Sequence, residues 1–300
     1  MDPFREHLAH HHGVFSRAEA TEFGKSDKQL AGMLRRSEIV RTHPSTYRST
    51  TNPRTWEAQL RGASLSVRGV ASHRSAAALW RIDGFPRALI EVTIDNSRRV
   101  ILPGVKVRRS TQFAWRDETT IDGIATTGIA RTVLDVAAVV GPGRLNQAVD
   151  AVLRQKLLSW PDLYDVLVRH SARGRTGCGR LRKLLDVRFG DTAIPDSRWN
   201  RMVATLLVDA GLPAPALEFE VRSSSGDFVA RVDLAFPRRK VAIELDSERW
   251  HLNSESFRKD PRRKNKLTVE GWTVLSFTWS DYVEQPTALI ATVTAALNLK

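Results

Sequence analysis

Three hundred residues exceed one ordinary domain, and an apolar share of 42% allows a full-sized core in each part. Lys and Arg outnumber Asp and Glu by 46 to 33, a formal charge of +13 with a pI near 10.5, and a field of that sign favours polyanions, nucleic acid foremost. The single cysteine, Cys178, excludes an intramolecular disulfide and a cysteine-based zinc site and fits a reducing cytoplasm; no apolar run of about eighteen residues exists to span a membrane, and the first residues carry no apolar stretch to act as a signal peptide.

Residues 1–60 predict short helices followed by strands. Ser16 is placed to cap a helix, with Glu19 three residues later completing a capping box. Gly24 breaks the chain, and Ser26 caps a second helix in which Leu30, Met33 and Leu34 recur at helical spacing. Lys25, Lys28, Arg35 and Arg36 flank that second helix and are candidate DNA contacts. Ile39–Arg41 and Thr46–Arg48, separated by His43-Pro44-Ser45, predict a hairpin. Helix, turn, helix, hairpin is the order of a winged helix-turn-helix, whose second helix enters the major groove. His10, His11 and His12 point in different directions on a helix and are expected to form a solvated turn rather than a metal site.

Residues 61–190 predict a mixed α/β and then helical middle domain. Val70 onward begins as a strand and turns into a helix capped by Ser72 or Ser75. Ile90–Ile94 and Val105–Arg109 alternate as strands, and Thr127–Ala137, Leu145–Leu153 and Trp160–Val168 read as helices. Residues 169–188 carry seven Arg or Lys against one Asp, with glycines interleaved, and read as a basic, flexible connection.

Residues 191–300 predict helix, three strands, helix, strand, helix: a sheet covered by helices. The first helix ends at Gly211, a hairpin turns around Ser223–Asp227, and the almost wholly apolar Lys240–Leu245 belongs at the centre of the sheet. A charged helix over 254–270 precedes a core strand over 272–277, and Ala288–Leu297 closes the chain. Within this segment Asp233 lies amid apolar residues, and the next strand carries Glu244 and, two residues on, Asp246. An acid on a buried strand is costly unless it is paired or binds metal. Neighbouring strands can bring Asp233 and Glu244 together, and their repulsion then favours Mg²⁺ or Mn²⁺. Asp246 shares a strand face with Glu244, and His251 could donate a proton or hold a phosphate. Taken singly, Asp233 could be a hairpin residue, Glu244 a partner of Arg231 or Lys266, and His251 a surface histidine.

Val232 to His251, the charged stretch Arg258–Arg263 and Gly271–Leu275 resemble a bacterial family related to the very-short-patch-repair endonucleases of the PD-(D/E)xK superfamily. The resemblance implies a restriction-endonuclease-like α/β/α domain over about 100 residues. Asp233 and Glu244 would bind metal, Asp246 would stand near the usual lysine position, and His251 would match the active-site histidine. It further places Asn200, in Ser197-Arg198-Trp199-Asn200, where the family usually has a metal-binding glutamate, with Ser247 and Ser276 in place of the common glycine and arginine. The charged helix adds Arg262 and Arg263 as candidate DNA contacts. Separately, Gly13–Arg17, Ser72–Ala77 and Arg131–Asp135 resemble AbiEi-type antitoxins of actinobacteria, in which the N-terminal domain binds promoter DNA.

The sequence therefore reads as an α/β (α+β) protein: a winged helix-turn-helix over 1–60, a middle domain over 61–190 and a restriction-endonuclease-like domain over 191–300. Two functions follow. One is a DNA endonuclease using Mg²⁺ or Mn²⁺ on double-stranded DNA. The other is an antitoxin or repressor with a degenerate nuclease-like domain and a cognate toxin as partner.

Overall fold

The computed structural model describes residues 2–95, 97, 99–110, 117–170, 177–189, 196–246 and 260–298, with the backbone alone at 246 and 260–262. The chain is an α+β protein with three sheets and divides into two units, Met1–Leu163 with Ala172–Leu184, and Tyr164–Ser171 with Leu185–Lys300.

The first unit opens with α1 (Pro3–His10), β1 (Val14–Ser16), α2 (Arg17–Glu22), α3 (Asp27–Arg35), β2 (Ile39–His43) and β3 (Thr46–Ser49), whose strands form an antiparallel sheet in the order β1-β3-β2. Ser16 and Ser26 cap α2 and α3, each in a complete capping box, with Glu19 and Gln29 as the reciprocal partners. Gly24 makes the intervening turn at φ +73°. Phe4, Leu8, Phe15, Ala20, Leu30, Ile39 and Tyr47 fill the core between helices and sheet. Strand β1 has no sequence signal, because three residues cannot display a period; β3 supplies its partners. The expected histidine turn forms over residues 11–13 with His10 exposed, and two of the rings meet backbone carbonyls. His11 Nδ1 lies 2.7 Å from the His7 carbonyl, and His12 Nε2 lies 2.8 Å from the Asp122 carbonyl.

After α4 (Trp56–Val67) comes a five-stranded mixed sheet in the order β6-β5-β4-β8-β7, from β4 (Val70–Ala71), β5 (Glu91–Asp95), β6 (Lys106–Ser110), β7 (Glu118–Ile121) and β8 (Ile124–Thr127). Leu60, Ala63 and Val67 of α4 pack on Ala71, Val92, Ile94 and Ile124. The β7–β8 hairpin was not anticipated, although Asp122-Gly123 is a turn signal; both residues have positive φ. Thr127 therefore ends a strand, and α6 (Ile129–Ala137) begins beyond it, facing α5 (His73–Leu79) and α7 (Pro142–Arg154). The basic connection expected over 169–188 is corrected where it is described. Residues 178–189 form helix α9 (Cys178–Phe189), following α8 (Trp160–His170), because Leu181 and Leu185 stand one turn apart and are fully buried among the arginines.

The second unit holds α10 (Asp196–Asp209) and a sheet in the order β12-β11-β10-β9. Its strands are β9 (Ala216–Arg222), β10 (Phe228–Phe236), β11 (Val241–Asp246) and β12 (Thr273–Thr278). The first three run antiparallel, whereas β12 joins β11 in parallel by way of α11 (Asp260–Val269). Two helices close the chain, α12 (Trp279–Glu284) and α13 (Pro286–Ala296). The sequence predicts one helix here; Thr278 and Asp281 form a capping box that starts a second. The part of the charged helix expected over 254–259 lies outside the described residues.

Candidate functional site

Strands β10 and β11 pair with Leu234 opposite Ile243 and Ala235 opposite Ala242. One step further along that register, Asp233 faces Glu244, so both carboxylates rise from the same side of the sheet. Asp233 Oδ2 accepts a 2.9 Å hydrogen bond from the Leu245 amide, which ties it to the neighbouring strand. Glu244 is only 7% exposed and forms an ion pair with Arg263 of α11.

Helix α10 approaches the same carboxylates. Trp199, Met202, Val203, Leu206 and Leu207 bury its apolar face, and Trp199 sets its ring edge-on against Trp279 and Tyr282, each centroid 5.0 Å away. That anchorage carries Asn200 into the interior, 2% exposed, where its side chain hydrogen-bonds Asp233. Asn200 Oδ1 is buried and receives no hydrogen bond from the described residues. Asp196 lies one helical turn earlier on α10, near enough for its charge to act on Asp233.

Burial, foremost, pushes the Asp233 carboxyl above the usual carboxylate range, and the charge of Asp196 adds to that. The Leu245 amide, the Arg263 guanidinium and the Asn200 hydrogen bond oppose it. Two carboxylates and a buried amide oxygen without a donor are oxygen ligands of the kind a hard divalent cation selects. Among the described residues, no group of three or more His, Cys, Asp or Glu side chains is placed to hold a metal ion. The donor set therefore counts the amide of Asn200 as its third member.

The structure thus gathers Asp233, Glu244, Asn200 and Arg263 at one place. Asp246 ends β11 two residues beyond Glu244, its side chain outside the description; His251 and the Arg262 side chain also lie outside it. Arg263 takes the place at Glu244 that the sequence offers to Arg231 or Lys266, and Arg231 pairs instead with Glu218 across the β9–β10 hairpin. Two members of this cluster escaped the sequence reading: Asp196 and the carboxylate role of Arg263. The four-residue interval from Asp196 to Asn200 is a helical signal that could have found the first.

In the first unit, Lys28 and Arg35 are exposed on α3. Lys25 lies 3.9 Å from Asp2 and 5.3 Å above the Phe4 ring, and Arg36 pairs with Glu38 at 2.6 Å. Two of the four candidate DNA contacts are therefore engaged within the protein itself.

The fold and this acidic cluster define an α+β protein with paired carboxylates on adjacent strands. The chain carries a stretch similar to a type II nicking enzyme of Neisseria meningitidis serogroup C, 29% identical over 105 residues that cover 28% of this chain and 71% of that enzyme. It is also similar to two uncharacterised proteins of Mycobacterium tuberculosis, from strains CDC 1551 and H37Rv, each 28% identical over 178 residues. Those matches cover 59% of this chain and 64% of each mycobacterial protein, so the chain spans just under two thirds of the length of these relatives. Scanned against models of known protein families, the chain matches none. No helix among the described residues is long and apolar enough to cross a membrane.

Proposed function

We propose that this chain is a divalent-metal-dependent DNA endonuclease, directed to double-stranded DNA by a winged helix-turn-helix made of α2, α3 and the β2–β3 hairpin. The observation that carries the reading is the placement of Asp233 opposite Glu244 with the buried, donor-less Asn200 Oδ1 beside them. The partial similarity to a nicking enzyme supports it. In this reading the C-terminal unit is restriction-endonuclease-like, and Asp233, Glu244 and Asn200 hold Mg²⁺ or Mn²⁺. The ion, when bound, supplies charge neutralisation at the scissile phosphate and a more acidic water.

The chain's own residues do the rest. The Leu245 amide fixes the Asp233 carboxylate in orientation, and Asn200 holds it from the helix side. Arg263, paired with Glu244, is a cation placed to meet a phosphate oxygen. Asp246 and His251 follow on the same chain segment and are assigned, respectively, to the carboxylate side of the site and to proton donation at the leaving oxygen. Lys28 and Arg35 contact the DNA backbone from α3, with Lys25, Arg36 and, on α11, Arg262 as further contacts. The lone cysteine suits a cytoplasmic location.

The test is nicking of supercoiled plasmid by the full-length chain with Mn²⁺ or Mg²⁺. Cutting should stop with a chelator and fall to background in Asp233→Asn and Glu244→Gln, with duplex binding retained. One observation favours a second reading, an antitoxin-like or repressor protein that binds DNA or a toxin without cutting. The third donor of the cluster is an uncharged amide, and Arg263 already neutralises Glu244. Metal-independent duplex binding with no cleavage by the wild type or by Asn200→Glu would select that reading.

A further inference from the structure

We propose that the Arg263 guanidinium occupies the cation position of this site in the metal-free protein, so that Mg²⁺ or Mn²⁺ and Arg263 compete for Glu244. The proposal rests on the metal-site reading above and adds how the site is regulated.

Arg263 is delivered by construction. Leu267, one turn later on α11, is fully buried in the same apolar cluster as Ala235 and Ala242 of the sheet. Residues four apart share a helix face, so seating Leu267 in that core turns Arg263 toward the same strands. There its guanidinium meets Glu244, and its charge also acts on Asp233. A single positive group thus answers both carboxylates, the task a divalent ion would perform.

The pairing is poorly satisfied. Among the described residues one guanidinium nitrogen is seen to bond Glu244, and the buried Arg263 Nε finds no acceptor and the buried Asn200 Oδ1 no donor. An ion pair in a desolvated site is stable only when its remaining protons and lone pairs are also met. A hard cation would leave no such remainder on the protein side, because it takes oxygen ligands from Glu244, Asp233 and Asn200 together. Arg263 is also free to leave at small cost: its side chain is 42% exposed, so the guanidinium can turn to solvent, or to a phosphate, without unpacking Leu267.

The experiment is Mn²⁺ binding to the full-length protein, followed by the loss of the free-ion signal in electron paramagnetic resonance, for wild type and four variants. Asp233→Asn and Glu244→Gln should weaken binding by about tenfold or more, and Arg263→Gln should tighten it by about tenfold. Arg263→Lys retains a competing charge and should stay near wild type. Thermal melts give a second readout. Without metal Arg263→Gln should melt below wild type, because Glu244 loses its ion pair with Arg263, and Mn²⁺ should raise its Tm more than it raises that of wild type. Unchanged or weaker Mn²⁺ binding by Arg263→Gln, with Asp233→Asn still impaired, overturns the competition and leaves the metal site standing. No binding by wild type or Arg263→Gln overturns the metal site and the competition together.

Discussion

His73 holds a buried imidazole on a left-handed backbone position, φ +53°, where only a few non-glycine residues are comfortable. Its Nδ1 lies 2.9 Å from the Ser72 hydroxyl, which in turn receives the Thr93 hydroxyl at 2.7 Å. Desolvation, with Arg108, Arg131, Arg74 and Lys106 nearby, pulls its pKa down to about 2. The unfolded chain takes a proton near pH 6.5 that the native state refuses. The contribution to stability is therefore whole above that pH and is lost as pH falls below it, by about 1.4 kcal/mol per unit. Asparagine tolerates the same backbone position, so His73→Asn should flatten the acid loss of stability by that slope, read from urea midpoints between pH 7 and 4. Equal slopes in the two proteins would show that His73 titrates normally. Arg61 makes a similar test: it is 6% exposed and bonds Glu19 and the carbonyls of Val14 and Gly123. Arg61→Ala removes all three partners at once and should cost about 3 kcal/mol in denaturant unfolding.

At the scale of elements, α3 and α9 carry opposite lessons. Helix α3 presents Lys28 and Arg35 to solvent with Leu30 buried behind them, so its cationic face is available to a phosphate backbone. Lys28→Ala with Arg35→Ala should weaken duplex binding and shallow the slope of log K against log salt by about 0.9 for each phosphate contact removed. Binding and slope identical to wild type would remove α3 from the interface. Helix α9 hides its apolar stripe in a run of arginines. Leu181→Ala should cost about 2–5 kcal/mol, seen as a lowered denaturation midpoint, because the leucine is fully buried. A surface connection would lose almost nothing.

At the scale of the molecule, the +13 charge predicts metal-independent association with duplex DNA that falls steeply between low and physiological salt. Salt-insensitive binding would set the charge aside as general solubility. What the sequence determined by itself was local: the Ser16 capping box and the Ser26 cap, the β2–β3 and β9–β10 hairpins, and the central place of Lys240–Leu245 in its sheet. Caps, turns and two-residue alternation act between near neighbours and leave their period in the chain. That neighbouring strands could bring Asp233 and Glu244 together was legible, but the register was not, since consecutive buried residues on β11 leave no alternation to fix it. Only the tertiary structure decided the rest. Strand β1 exists because β3 offers it partners, and α9 is a helix because its leucines find a core. Arg263 rather than Arg231 or Lys266 answers Glu244 because α11 is seated by Leu267 in that sheet. Which cation meets a buried carboxylate depends on how a distant helix packs, and packing between elements leaves no period in the sequence.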